Sequence, residues 1–320
     1  MKRVALILLC VVVFALPLFA GGKQANSGAV RVAYLTPSMD IPFWRYMAFG
    51  ISDELKKLVP GSEVTVYDSK DSPNTQFSNA QDAITRRVKA IVISPTNSAT
   101  CVAVLDLAKE AKIPVVICDI GTDAGTYESF VSTDNEGGAR ELGAYIATKL
   151  PANSTIAQIT IPLARINGQL RKKGFADGVQ VNGIKDIDFK QTERVNREEG
   201  VRFAQDLFTA HPQLSAIFCQ ADEPSLGALA AIEQAGKSNS LLLAAFDCTP
   251  EMIDAIRAGK IIGTAAQQPV LMGRYASQSV AKILKGEKVE KEIKLGTLLV
   301  TKDNIGQIYN KLIEVAMTEK

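Results

Sequence analysis

Two aspartates stand where this chain is best placed to do chemistry. Asp119 ends the run Pro-Val-Val-Ile-Cys-Asp and Asp247 ends Leu-Leu-Leu-Ala-Ala-Phe-Asp, both with the apolar make-up of buried strands. Ligands of doubly wound α/β sheets sit beyond the carboxyl ends of the strands. Two carboxylates on opposite walls of such a crevice could accept hydrogen bonds from one hydroxyl-rich molecule. The same pair could act as general acid and base in glycoside hydrolysis. Each could also simply cap the turn or helix that follows it.

No other group completes a catalytic set. His211 is the one histidine in 320 residues, and its His-Pro step ends a helical stretch, the place of a surface cap. The chain has no Gly-x-Gly-x-x-Gly after its first strand, no Walker loop and no Gly-x-Ser-x-Gly elbow. Cys101, Cys118, Cys219 and Cys248 contain no Cys-x-x-Cys pair, so a structural zinc is not expected. Cys118 and Cys219 read as small buried hydrophobes, and a disulfide among the four stays open. No metal, no cofactor and no enzymatic activity are expected.

The elements that must position the aspartates alternate regularly. β-Branched runs at 30–36, 63–68, 90–94 and 114–119 are separated by helix-period stretches at 44–59, 74–88 and 98–112. The order recurs, with strands at 155–160, 187–191, 216–220 and 241–247 and helices near 169–181, 198–210 and 224–235. Segments 89–119 and 215–247 each read strand, turn, helix, strand, and each closes on one of the aspartates. This predicts an α/β protein of two doubly wound parallel-sheet lobes. Met47, Ile51, Leu55 and Leu58 form the inward stripe of one helix, and 303–320 reads as a helix lying on the second lobe.

The N-terminus has the layout of a secretory leader. Lys2 and Arg3 precede an apolar stretch, 4–20, then Ala20-Gly21-Gly22 and a polar segment. Removal of 1–22 on export to the periplasm is expected; Pro17 and the glycines fit cleavage better than a membrane anchor, and Leu9 before Cys10 argues against a lipid. Losing Lys2 and Arg3 brings the 36 basic residues level with the 34 acidic ones. A neutral chain without a basic stripe has no footprint for nucleic acid. Hydrophobic content of 47% is ample for two cores.

A series of short segments carries a family resemblance. They are Ile41-Pro42-Phe43-Trp44, Asp68-Ser69 with Asp71, Ile93-Ser94-Pro95-Thr96, Ser132-Thr133-Asp134-Asn135 with Gly137-Gly138, and Lys173-Gly174-Phe175. Leu207-Phe208-Thr209-Ala210-His211-Pro212, Asp222-Glu223 to Ala228, Phe246-Asp247-Cys248-Thr249-Pro250 and Ala266-Gln267-Gln268-Pro269 follow. In this order the chain resembles the periplasmic ribose- and galactose-binding proteins, type I periplasmic binding proteins related to the sensor domains of lactose-type repressors. The resemblance runs from about Val30 to Asn304.

It implies two lobes on a three-segment hinge, with crossovers near Thr133–Asp134, Gln267 and Gly296. The N-terminal lobe would comprise 30–133 and 268–295, the C-terminal lobe 134–267 and 296–320. Phe43 and Trp44 match aromatics that stack on a sugar ring; Asp119 and Asp247 match acceptors of sugar hydroxyls; Thr133 and Gln267 match polar residues at the first two crossovers. Gln169 stands where an arginine is expected and is carried as a binding residue. Other departures are Asp40 and Ile41 for two asparagines, Ile120 for a basic residue, Ala221 for an asparagine and Val195 for an aromatic. They point to a site short of donors, and to a sugar other than ribose or a less hydroxylated ligand.

The resemblance implies a monomeric substrate-binding component of an ABC importer that hands its ligand to a permease in the inner membrane. The alternatives are a sensor feeding a chemoreceptor or sensor kinase, and a sugar hydrolase. A repressor would need a basic helix-turn-helix where the apolar leader stands.

Overall fold

The computed structural model describes residues 29–180 and 182–317; the expected leader, 1–22, lies outside the described residues. The chain begins β1 (Arg31–Thr36), α1 (Pro42–Leu58), β2 (Glu63–Asp68), α2 (Pro73–Thr85), β3 (Ala90–Ile93), α3 (Ser98–Glu110), β4 (Val115–Cys118) and β5 (Ser129–Thr133). It continues α4 (Asn135–Ala147), β6 (Thr155–Thr160), α5 (Ile166–Val179), β7 (Lys185–Gln191), α6 (Arg197–Ala210), β8 (Leu214–Cys219), α7 (Asp222–Gln234), β9 (Leu242–Phe246), α8 (Pro250–Arg257) and β10 (Gly263–Ala266). It ends α9 (Pro269–Leu284), β11 (Glu292–Leu295), β12 (Leu298–Thr301) and α10 (Ile305–Val315).

The strands form two six-stranded sheets, β11-β5-β4-β3-β1-β2 and β12-β10-β9-β8-β6-β7. Replacing β1 to β5 by β6 to β10, and β11 by β12, turns one order into the other. All pairs are parallel except β10 with β12. This is the doubly wound two-lobe α/β architecture that the alternation predicts. Helices cover both faces of each sheet, so consecutive strand residues are buried on opposite sides. Val32 and Tyr34 face the cluster of Met47, Ile51 and Val280, while Ala33 and Leu35 face that of Ala80, Val104 and Leu105. Cys101, Cys118, Cys219 and Cys248 are buried and unbridged.

The chain passes between the sheets three times: from β5 into α4 at Thr133–Asp134, from β10 into α9 at Gln267–Gln268, and between β11 and β12 at Gly296–Thr297. On its return, α9 lies along α1 so closely that a Cβ on Gly50 would collide with the Val270 backbone. The crossings are tied together. Asp134 N–H donates to Leu295 O at 2.7 Å, and the Gln268 side-chain amide donates to Gly296 O at 2.7 Å.

Local signals set the helix starts that face the cleft. Pro42 opens α1 without a side-chain cap, Asn97 caps α3 through Ala99 and Thr100 N–H, and Thr249 caps α8 through Met252 N–H at 3.3 Å.

Candidate functional site

Asp119 and Asp247 directly follow β4 and β9, the equivalent strands of the two sheets. Each backbone N–H is held by the neighbouring strand, Asp119 by Val131 O at 2.8 Å and Asp247 by Ala265 O at 3.1 Å. Neither caps a helix: Thr249 caps the one after Asp247, and the Asp119 carboxylate turns toward the other lobe. Asn167, at the start of α5, donates from Nδ2 to Asp119 Oδ2 at 3.2 Å, while Oδ1 has no hydrogen-bond partner. Asp247 Oδ1 accepts from Gln267 Nε2 at 2.6 Å, and Gln267 Oε1 accepts from the Thr133 hydroxyl at 2.7 Å. The second carboxylate is therefore wired through the amide to the first crossing.

These groups surround a cleft between the lobes with about 350 Å³ of space unfilled by protein, its open mouth included. Phe43 and Trp44 line it edge to face, with ring centroids 4.8 Å apart. They are 6% and 4% exposed, and belong to an apolar cluster that spans the cleft to Ile161, Val195 and Ala221 of the second lobe. Ile41 and Ile120 complete the apolar wall.

Four further polar residues line the cleft: Arg165, Asn167, Arg171 and Asp222. Asp222 opens α7 just past the end of β8; its Oδ1 accepts from Glu223 N–H at 2.8 Å and its Oδ2, buried, has no partner. Arg171 is buried in α5. Its Nε donates to Asn135 Oδ1 at 2.7 Å, its Nη1 to Gln220 O at 2.8 Å, and its guanidinium lies 4.0 Å from the Phe246 ring centroid. Arg165 reaches across to the first lobe, giving Nε to Thr96 O at 3.1 Å and Nη2 to Asp71 Oδ1 at 2.8 Å.

The structure brings Phe43, Trp44, Asp119, Asp247 and Gln267 together, sets Thr133 one bond behind Gln267, and leaves Gln169 out. Gln169 is exposed and donates its amide to Leu163 O at 2.7 Å. Two positions along an α-helix are about 200° apart, so in α5 it is Arg171 that faces inward. The expectation of a site short of donors is corrected in the same way, since Asn167 and Arg171 supply them. Asp222 could have been found from sequence, because it too is a carboxylate just past a strand end; Arg165, Asn167 and Arg171 carry no such signal.

Burial governs the electrostatics. The Asp119 carboxyl is pushed up to about 6, chiefly by loss of water, with Arg171 opposing and Asp247 adding to the rise. Asp222 and Asp247 are raised as well, burial first, and the charge of Asp247 adds to the rise at Asp222. Backbone strain gathers at the same place: Asp119, Asp247 and Val195 have φ of 67°, 73° and 55°. Val195 is held there by Glu199, whose carboxylate accepts from the N–H groups of Glu193, Arg194 and Val195. No cluster of three or more potential metal ligands exists among the described residues.

The profile described as periplasmic binding protein domain matches residues 32–288. The chain is 32% identical to the ribose import binding protein of Salmonella typhimurium over 271 residues, covering 85% of this chain and 90% of the relative. It superposes with a TM-score of 0.83 on an ABC transporter solute binding protein from Agrobacterium vitis with bound D-fucose, at 25% identity, covering 89% of this chain and 99% of that one. A myo-inositol binding protein from Caulobacter, bound to myo-inositol, gives 0.82 at 25% identity, with 89% and 98% covered.

Proposed function

This chain belongs to the periplasmic binding protein family, and on that premise we propose that it is the substrate-binding component of an ABC importer, capturing a simple sugar or similar small polar ligand between two closing lobes. The observation that carries this reading is the pair of buried carboxylate oxygens, Asp119 Oδ1 and Asp222 Oδ2, left without partners at the cleft. Buried polar atoms are otherwise satisfied almost everywhere in folded proteins, and a ligand hydroxyl would satisfy each. Phe43 and Trp44 take the C–H face of the ring, Asp119, Asp222 and Asp247 accept from its polar groups, and Asn167, Arg171 and Gln267 donate. Thr133 acts by orienting Gln267.

The same reading has the leader 1–22 removed on export, a monomer in the periplasm, and release of ligand to an inner-membrane permease without a chemical step. The lobes move as 30–133 with 268–295 and 134–267 with 296–320, about the three crossings. A thermal-shift screen over sugars, polyols and nucleosides tests it, because a ligand that binds only the folded state raises Tm. A saturable Tm rise with a sugar or polyol is expected; a panel that leaves Tm unmoved would overturn the reading.

A further inference from the structure

The charges lining the cleft do not balance. Asp119 and Asp222, each with an unpartnered oxygen, are 2% and 1% exposed, and Asp247 is 6% exposed. Two cations are near. Arg165 is already engaged with Asp71, and Arg171 spends Nε and Nη1 on Asn135 and Gln220. Among the described residues, no ion pair within 4.0 Å joins Arg171 to any of the three carboxylates. Ile120 is a buried part of the apolar wall and Gln169 turns to solvent, so neither brings a charge to the cleft. Three buried carboxylates thus face one guanidinium, Arg171, that is paired with no carboxylate of its own.

Resting on the reading of the cleft as a sugar site, we propose that its ligand carries a protonated amine, so that the protein takes up an amino sugar or amino polyol. The ammonium sits beside Asp222 and Asp247, which both line the cleft. A hydroxyl of the same molecule donates to Asp119 Oδ1. A neutral sugar supplies hydrogen bonds but leaves the excess negative charge buried under the closed lobes, which is unfavourable unless protons are taken up. An ammonium supplies three donors and the missing charge together. The apolar wall and the Trp44 ring then cover the remaining C–H surface, and the indole face adds to the attraction for a cation. The raised carboxyls agree with this arrangement: burial lifts both Asp119 and Asp222, and the charge of Asp247 adds to each rise, against partial opposition from the two arginines at Asp119.

Calorimetric titration of the mature protein, freed of ligand, tests the idea with matched sets. D-Glucosamine, D-galactosamine and D-mannosamine are each compared with the parent hexose and the N-acetyl derivative, and serinol with glycerol, near pH 7. At least one amine is expected to bind about 30-fold or more tightly than its neutral partners, a preference that falls with added salt. Its binding releases protons, read as a heat that varies with buffer ionisation, because a cation favours the charged carboxylates. Asp222→Asn should cut the preference about tenfold or more; should that variant not fold, the proton release of the native protein stands as the second readout. Neutral sugars binding as tightly as their amines would sink this inference and leave the sugar reading intact. Failure of every member of every set would sink both.

Discussion

Asp119 and Asp247 occupy the same station in two lobes that share one topology, and both hold a left-handed backbone there, with φ of 67° and 73°. A left-handed aspartate at a strand end swings its carboxylate out of the sheet and toward the opposite lobe. The fold thereby delivers one acceptor from each wall to a single small cleft. Asymmetry enters through their partners, an amide from the facing lobe for Asp119 and a hinge amide for Asp247.

Replacing either by alanine is expected to weaken ligand binding by ~1.5–3 kcal/mol, the range for hydrogen bonds to charged groups. Titration of each variant with the cognate ligand checks this, with circular dichroism to confirm the fold. Affinities equal to the parent's in both variants would remove the pair from the site.

Ligand-free stability should depend on pH through Asp119. In the unfolded chain its carboxyl ionises near 3.8, and in the folded protein near 6. The folded state therefore holds the extra proton between those values. The contribution is fully present below 3.8 and lost as pH rises through about 6, amounting to about 3 kcal/mol for a fully buried group. Asp119→Asn should remove this slope. In urea unfolding the variant should match the parent near pH 4 and exceed it near pH 7, and equal stability at both would contradict the assignment.

Arg165 bridges the lobes to Asp71, which does not line the main cleft. Asp71→Ala should weaken binding by ~1–2 kcal/mol, the lower part of the charge-assisted range because Asp71 is partly exposed. Scattering from the ligand-free variant should show a larger radius of gyration than the parent. A variant with unchanged affinity and radius would mean that the pair does not favour the closed form.

Trp44 is the only tryptophan, so its emission reports the cleft alone. It is buried by residues of both lobes, including Val195 and Ala221, and opening would admit water to it. Ligand binding is expected to shift its emission to shorter wavelength or change its intensity. Trp44→Ala should cost ~1–3 kcal/mol of affinity through lost apolar burial. Emission indifferent to saturating ligand would place the indole in a lobe core.

The inner strands are legible because those covered on both faces are continuous apolar runs: β1, β3 and β4 begin and end within one residue of the stretches read from the sequence, while β2, an edge, shows as an alternating run over 63–68. β10 gave no such signal, since Gly263-Thr264-Ala265-Ala266 is too small and too short to stand out. Strand β7 reads as a strand only from 187 on, because it is an edge whose Ile187 and Phe189 face solvent. In the cleft, the strand-end rule reaches the aspartates. The inward turn of Arg171 and the outward turn of Gln169 depend on how α5 is rolled against α4, which only packing decides.

The threading of the chain sets a clock on its own assembly. The outermost strand of the first sheet, β11, is made roughly 160 residues after β5, the strand it pairs with. At about 5–20 residues per second a ribosome needs roughly 8–30 s to cover that gap. Throughout it, β5 is an open sheet edge and α1 lacks the helix that covers it. The first lobe therefore cannot finish before the nascent chain has emerged as far as β11, so its sheet stays incomplete while the whole second sheet up to β10 is made.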